Sequence, residues 1–408
     1  MTPILETFAK SMAKPSGGIP RGLARSGPAL WSYGFRPFFL LAGTWAVLAM
    51  TIWIASLIFS LEIGGRGSLS WHAHEMLFGY TSAVLAGFML TAIPNWTGRL
   101  PVSGRPLAVI TLLWLLGRLA MVAEPMIGPL ATGLVDGAFL PALALIAGRE
   151  VVVGRNWKNL KILAGLGVLA LANGLYHLEP VVGLEPGLSY RLAIAAYVML
   201  IAVVGGRIVP SFTRNWLSRH GATRLPASLG RFDAVALVVT GLALLAWTAT
   251  PETPLTAALA VLSAVLQTIR LLRWNGWAAR SDALVFVLHV GYAFLPLGLL
   301  AIGLSAMGIQ SPASALHVLT VGAIGSMTFA VMSRAALGHT GRALRATPPV
   351  QLAYVALALA GLARPLAEML PDIYLPILSA SGALWILAFG LFLFVYAPIL
   401  LRPGLTRP

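Results

Sequence analysis

Residues 71–96 read WHAHEMLFGYTSAVLAGFMLTAIPNW. From residue 73 to 95 this run is long enough to cross a bilayer, which takes roughly 20 mostly apolar residues. It opens on two histidines and a glutamate and closes on Pro94, Asn95 and Trp96. Eleven further apolar runs lie near 38–61, 106–123, 127–148, 160–178, 189–210, 232–250, 254–273, 283–304, 314–336, 350–370 and 374–400. The breaks between them are turn-forming, among them Pro101 to Pro106, Glu124-Pro125, Glu179-Pro180 and Pro348-Pro349. No polar stretch is long enough for a soluble domain. The expectation is an all-α polytopic membrane protein of twelve transmembrane helices, one domain over 36–402. A disordered basic arm precedes it (1–35) and a short tail follows (403–408).

Composition supports this reading. Of 408 residues, 58% are hydrophobic and 10% are charged, against about 25% charged in an ordinary soluble domain. The net charge is +15, from 28 Lys and Arg against 13 Asp and Glu. In a soluble chain that balance would suggest nucleic acid. Here 23 of the 28 basic residues fall in the arm, the tail and alternate loops, among them Arg36 before the first run, Arg149, Arg155, Lys158 and Lys161 between the fourth and fifth, Arg214 and Arg219 between the sixth and seventh, and Arg270 between the eighth and ninth. The opposite side holds only Arg66, Arg191 and Arg364. The positive-inside rule then predicts an inner-membrane protein with both termini cytoplasmic and an even number of spans. It leaves no case for nucleic acid.

The second, sixth and tenth runs end alike: Thr91 to Arg99, Arg207 to Trp216, and Met332 to Arg342. Pro94 and Pro210 are 116 residues apart, and Ser333 follows 123 later. That spacing suits a four-helix unit used three times, with these three helices equivalent and inward. Their small residues suit close packing.

Ionisable groups at membrane depth mark function by default. Cys is absent, so any metal rests on His, Met or carboxylate. His72 and His74 open the second span. His177 closes the fifth and His317 opens the tenth, so four histidines share the outer third. One such residue would be an ordinary interfacial histidine; four at one level favour a metal or haem site. A spacing of two sets His72 and His74 about 200° apart, so they cannot share one ion on a helix. Glu75 is placed to orient His72. His289 lies in the ninth span as a further candidate ligand. Arg207, Arg334 and His339 form a candidate cationic inner site for haem propionates or a small anion. Arg118 and Asp136 read as a buried pair, and Asn173 and Gln267 as interhelical hydrogen bonders. There is no phosphate loop and no Ser–His–Asp spacing, which argues against nucleotide-driven transport.

Longer strings then carry a resemblance. Gly34 to Phe39, Trp71 to Gly79, Leu90 to Ala92, Asn95 to Gly98, Gly206 to Thr213, His317, Thr320 to Gly325 and Leu337 to Arg342 resemble the NnrS family of bacterial membrane proteins. The resemblance covers nearly the whole chain. It implies about twelve spans, haem (b-type) with copper as a second cofactor, and a role in nitric oxide metabolism or nitrosative-stress protection. Membrane lipid and nitric oxide would then be the partners, with the electron donor unassigned. A more distant similarity is to the catalytic subunit of haem–copper oxidases and nitric oxide reductases, in which His on the second and tenth helices hold a haem. That likeness implies His72 (or His74) and His317 as axial ligands. The chain departs from that subunit in having no His in the sixth and seventh spans and no His-His pair, which puts an oxidase-type copper site in doubt. The competing readings are a permease without redox turnover and a metal-bound assembly factor.

Overall fold

The computed structural model describes residues 28–405 apart from 184 and 186; the expected arm lies mostly outside the described residues. Among the described residues there are helices and turns and no strands. Twelve helices among the described residues are long and apolar enough to cross a membrane: α1 (Phe35–Phe59), α2 (Ser68–Thr97), α3 (Arg105–Ile127), α4 (Pro129–Val153), α5 (Trp157–Val182), α6 (Leu188–Arg219), α7 (Arg231–Ala249), α8 (Pro254–Leu272), α9 (Ala283–Ala306), α10 (Pro312–His339), α11 (Pro348–Met369) and α12 (Pro371–Leu401). Both described chain ends therefore lie at one face, here the terminal face; the other is the far face.

Local chemistry sets the boundaries. Pro129, Pro254, Pro312 and Pro348 sit in first helical turns, where a missing N–H costs nothing. Ser311 accepts from Ser314 N at 3.1 Å and Asp282 from Val285 N at 3.1 Å, so α10 and α9 start on side-chain caps. Gly98 ends α2 at φ 70°, in the left-handed region that favours glycine. Two expectations shift. Arg214 and Arg219 lie on α6 and not in a loop, because α6 runs on past Pro210. Residues 28–35 include an ordered turn, Ala29–Ser32, whose Trp31 carbonyl accepts from Gly104 N at 2.8 Å.

The helices form a closed ring around an inner group. Neighbours in sequence pack pairwise, and α12 returns to pack on α1. Arg36 fastens that closure: its Nη1 donates to the Leu400 and Arg402 carbonyls at 2.8 and 2.6 Å. Sequence placed Arg36 with the cytoplasmic charges; it is buried because those carbonyls at the end of α12 lack helical partners. The interior share of the most apolar window is 78% for α2, 56% for α6 and 61% for α10, against 33–44% for eight of the others. The three helices expected inside are inside. α9, at 72%, joins them, and its apolar circumference fits burial on all sides. Contacts between α4 and α5, α8 and α9, and α12 and α1 continue the ring from one helix to the next.

α2, α6 and α10 share one irregularity. Each contains a π-helical stretch, Glu75–Thr81, Ile201–Gly205 and Val318–Gly325; these are the only ones among the described residues. A π turn frees carbonyls from the i→i−4 ladder and often marks a working site. Neighbouring side chains take up several of these. Trp114 Nε1 donates to Gly79 O at 3.0 Å, the Tyr197 hydroxyl to Leu77 O at 2.9 Å, and Arg270 Nη1 to Ala202 O at 2.8 Å.

Candidate functional site

The four far-face histidines separate into two pairs. His74 and His177 meet, with ring centroids 5.6 Å apart. His72 points away from them, as the 200° offset requires, and stacks on Trp53 at 4.6 Å.

The His74 side is a buried polar cluster built by four helices. His74 Nδ1 lies 3.1 Å from Glu75 Oε1; its Nε2 lies 3.1 Å from both Asp136 Oδ2 and Asn173 Oδ1. His177 Nε2 is 3.0 Å from the same Asp136 oxygen, and Asn173 Nδ2 donates to it at 2.9 Å. Arg118 joins Glu75 (2.6 Å) and Asp136, so the expected Arg118–Asp136 pair is present inside a larger network. Asn173 and His177 stand one turn apart on α5 and therefore share a face. Glu75 orients His74 and not His72. Its carboxylate is drawn to Trp45 Nε1 and Arg118 Nη1, both at 2.6 Å, while His72 stacks on Trp53.

Charge balance defines what this cluster can do. Two carboxylates face one guanidinium, and each nitrogen of His74 faces only oxygens. Buried charge without compensation is costly, so the cluster requires one more cation, either a proton or a metal ion. His74, Asp136 and His177 can each offer one ligand atom within 4.8 Å of the others. His177 donates through Nε2, which leaves the lone pair on its buried Nδ1 without a partner. Two imidazoles and a carboxylate suit a borderline divalent ion.

The His72 side differs. Its buried Nδ1 and the neighbouring Trp71 Nε1 have no hydrogen-bond partner. His317 sits directly before the π stretch of α10, and its Nδ1 contacts the Ala313 carbonyl at 2.7 Å. That bond fixes the tautomer and leaves Nε2 with a free lone pair, the usual state of a metal-binding imidazole. His72, His317 and Arg364 of α11 lie within electrostatic reach of one another. The donor set is of a kind that can hold a haem iron: one imidazole oriented by a backbone carbonyl and one with a buried, unpartnered nitrogen.

The remaining sequence candidates lie elsewhere. His289 Nε2 contacts Thr213 Oγ1 at 2.8 Å near the terminal face, apart from the other histidines. His339 stacks on Tyr33 at 5.8 Å, Arg334 lies over Phe212 at 4.1 Å, and Arg207 is exposed. Arg334 is 17 residues beyond His317 on α10, about 25 Å at the helical rise, too far for one porphyrin to reach both. Sequence reasoning missed a second buried network. Arg270 pairs with Asp233 at 2.9 Å and donates to the Tyr292 hydroxyl at 3.0 Å, which bonds Gln267 at 2.7 Å. Gln267, expected as an interhelical bonder, also donates to Thr240 at 2.8 Å. Arg270 was counted as a loop charge; its place in the last turn of α8, with Asp233 in the first turn of α7, was the available signal.

Twelve apolar helices enclosing histidine sites define a polytopic membrane protein with ligand-capable imidazoles in its interior. The chain matches the family model described as NnrS protein over residues 29–403, nearly its whole length, and belongs to that family. No curated protein matches it.

Proposed function

We propose that the protein is a haem-binding protein of nitric oxide metabolism or nitrosative-stress protection in the bacterial inner membrane. His72 of α2 and His317 of α10 would hold its haem. Basic-residue bias supports cytoplasmic termini and an outward-facing haem end. The observation that carries the reading is the pair of available imidazoles: His317, whose Nδ1 bond to Ala313 O leaves Nε2 free, and His72, whose Nδ1 is buried without a partner. His72 and His317 would hold a b-type haem, and Arg364 would face its carboxylates. When bound, the group supplies one-electron chemistry and an iron centre for nitrogen oxides. The helices hold the two rings in place, and Trp53 fixes the plane of His72. The His74–Asp136–His177 group is the proposed place for copper, because it meets the cluster's need for a further cation.

The test is the absorption spectrum of the purified protein. A haem Soret band is expected in the native chain, with its loss or shift in His72→Ala and in His317→Ala. A band unchanged in both variants would overturn the ligand assignment. The permease reading of the sequence predicts no stoichiometric haem, so the same spectrum separates the two.

A further inference from the structure

α2, α6 and α10 flank a crevice that begins at their π stretches and runs toward the terminal face. Its walls include Leu85 and Phe88 of α2, Val204 and Ile208 of α6, and Met327 and Val331 of α10. At its far-face end Thr81, Tyr197 and Ile324 are buried. There the Tyr197 hydroxyl bonds Leu77 O at 2.9 Å and the Tyr80 hydroxyl contacts Thr328 Oγ1 at 2.7 Å, tying the three helices together. That end is blind. The wall stripes change character toward the terminal face. On α6 the spacing of three and four residues that carries Ile201, Val204 and Ile208 continues to Ser211 and Asn215, both exposed. On α2 the stripe of Leu85 and Phe88 reaches the exposed Asn95, and on α10 Arg334 follows Val331 by one turn. An apolar stem thus opens into a polar vestibule. From Tyr197 to Ile208 the stem runs along 11 residues of α6, about 16 Å at the helical rise. Cations stand at its mouth. Lys161 adjoins the wall residue Ile162 of α5 and Arg207 adjoins Ile208; both are exposed and lie within electrostatic reach of each other. Neither forms an ion pair among the described residues.

We propose that this funnel binds one long-chain carboxylate, with its alkyl chain in the stem and its anionic end between Lys161 and Arg207. The apolar walls favour an alkyl chain. A single blind stem takes a single chain, which favours a one-tailed anion over a two-chained phospholipid. The unpaired cations at the mouth select a negative end. The same charge disfavours the basic arm as occupant, because its Lys10, Lys14, Arg21 and Arg25 outnumber Glu6. The site is independent of the haem reading.

The probe is dodecanoate carrying a diazirine near the end of its chain. It is irradiated with the full-length protein in nanodiscs of zwitterionic phosphatidylcholine, and the labelled peptides are mapped by mass spectrometry. Saturable label is expected at residues 84–88, 201–208 and 324–331, displaced by dodecanoate and far less by the uncharged dodecanol. Lys161→Gln combined with Arg207→Gln should weaken binding about fivefold, the effect of two exposed ion pairs. Val204→Phe fills the stem from a half-buried position and should abolish the stem label. If that variant fails to fold, the charge variant decides, since both its side chains are exposed. Label confined to outward positions such as Leu116 and Leu119, equal displacement by dodecanol, or unchanged affinity in the charge variant would overturn the proposal. So would displacement of the probe by phosphatidylglycerol added to the nanodiscs, which would make the occupant a phospholipid.

Discussion

Arg118 Nη1 stands 2.6 Å from Glu75 Oε2, and its Nη2 pairs with Asp136. One guanidinium thus holds apart two carboxylates that both bear on His74. Removing it leaves those charges facing each other in a buried setting. Arg118→Ala is expected to cost about 3–5 kcal/mol, the usual penalty for breaking a buried pair from one side. Thermal unfolding in detergent checks this, and an unchanged midpoint would remove the charge-balance account. Replacing Arg118, Glu75 and Asp136 together by apolar residues should recover part of the loss.

Gly79 sits inside the same cluster. A Cβ there would lie 2.6 Å from both Trp45 Nε1 and Glu75 Oε2 and 2.8 Å from Arg118 Nη1. Gly79→Ala is expected to destabilise by about 1–3 kcal/mol through overpacking. Gly148→Ala, with nothing within 4 Å of the added carbon, should be near neutral. Equal effects in paired melting curves would contradict the packing described.

His177 and His72 should separate in metal content. His177→Ala is expected to lose the second metal while keeping the haem spectrum, and His72→Ala to lose the haem signature while keeping the second metal. Copper and iron analysis of the two purified variants reads this directly. Loss of both metals in both variants would mean a single site.

Arg36 is expected to stabilise the ring closure through the end of α12, where a cation also meets the negative end of the helix. Arg36→Ala should cost about 1–3 kcal/mol. Hydrogen exchange should rise in the last turn of α12, at residues 398–401, more than in α5. Uniform exchange across the chain would place the lost contact elsewhere.

Much of the fold was legible because a span announces itself by length and apolarity, and because loop charges alternate. The opposite fates of His72 and His74 followed from helical rotation alone. The grouping of His74 with His177 followed only as far as shared depth; which of the far-face residues met required the packing of α3, α4 and α5. Glu75 was assigned to the wrong histidine because its partner depends on where Trp45 and Arg118 sit, which spacing along α2 does not carry. Arg36 and Arg270 were read as surface charges because charge counting cannot distinguish an arginine facing water from one that caps a neighbouring helix. The burial of α9 was likewise hidden, since a span facing lipid and a span facing protein can be equally apolar.

The central claim is that His72 and His317 together would hold one haem. Near-infrared magnetic circular dichroism of the oxidised, purified protein tests it most directly, because the charge-transfer band reports the identity of both axial ligands. The account predicts a bis-histidine signature in the native protein that is replaced by a high-spin signature in His317→Ala. A histidine–methionine signature, a five-coordinate native haem, or a protein without haem would contradict it.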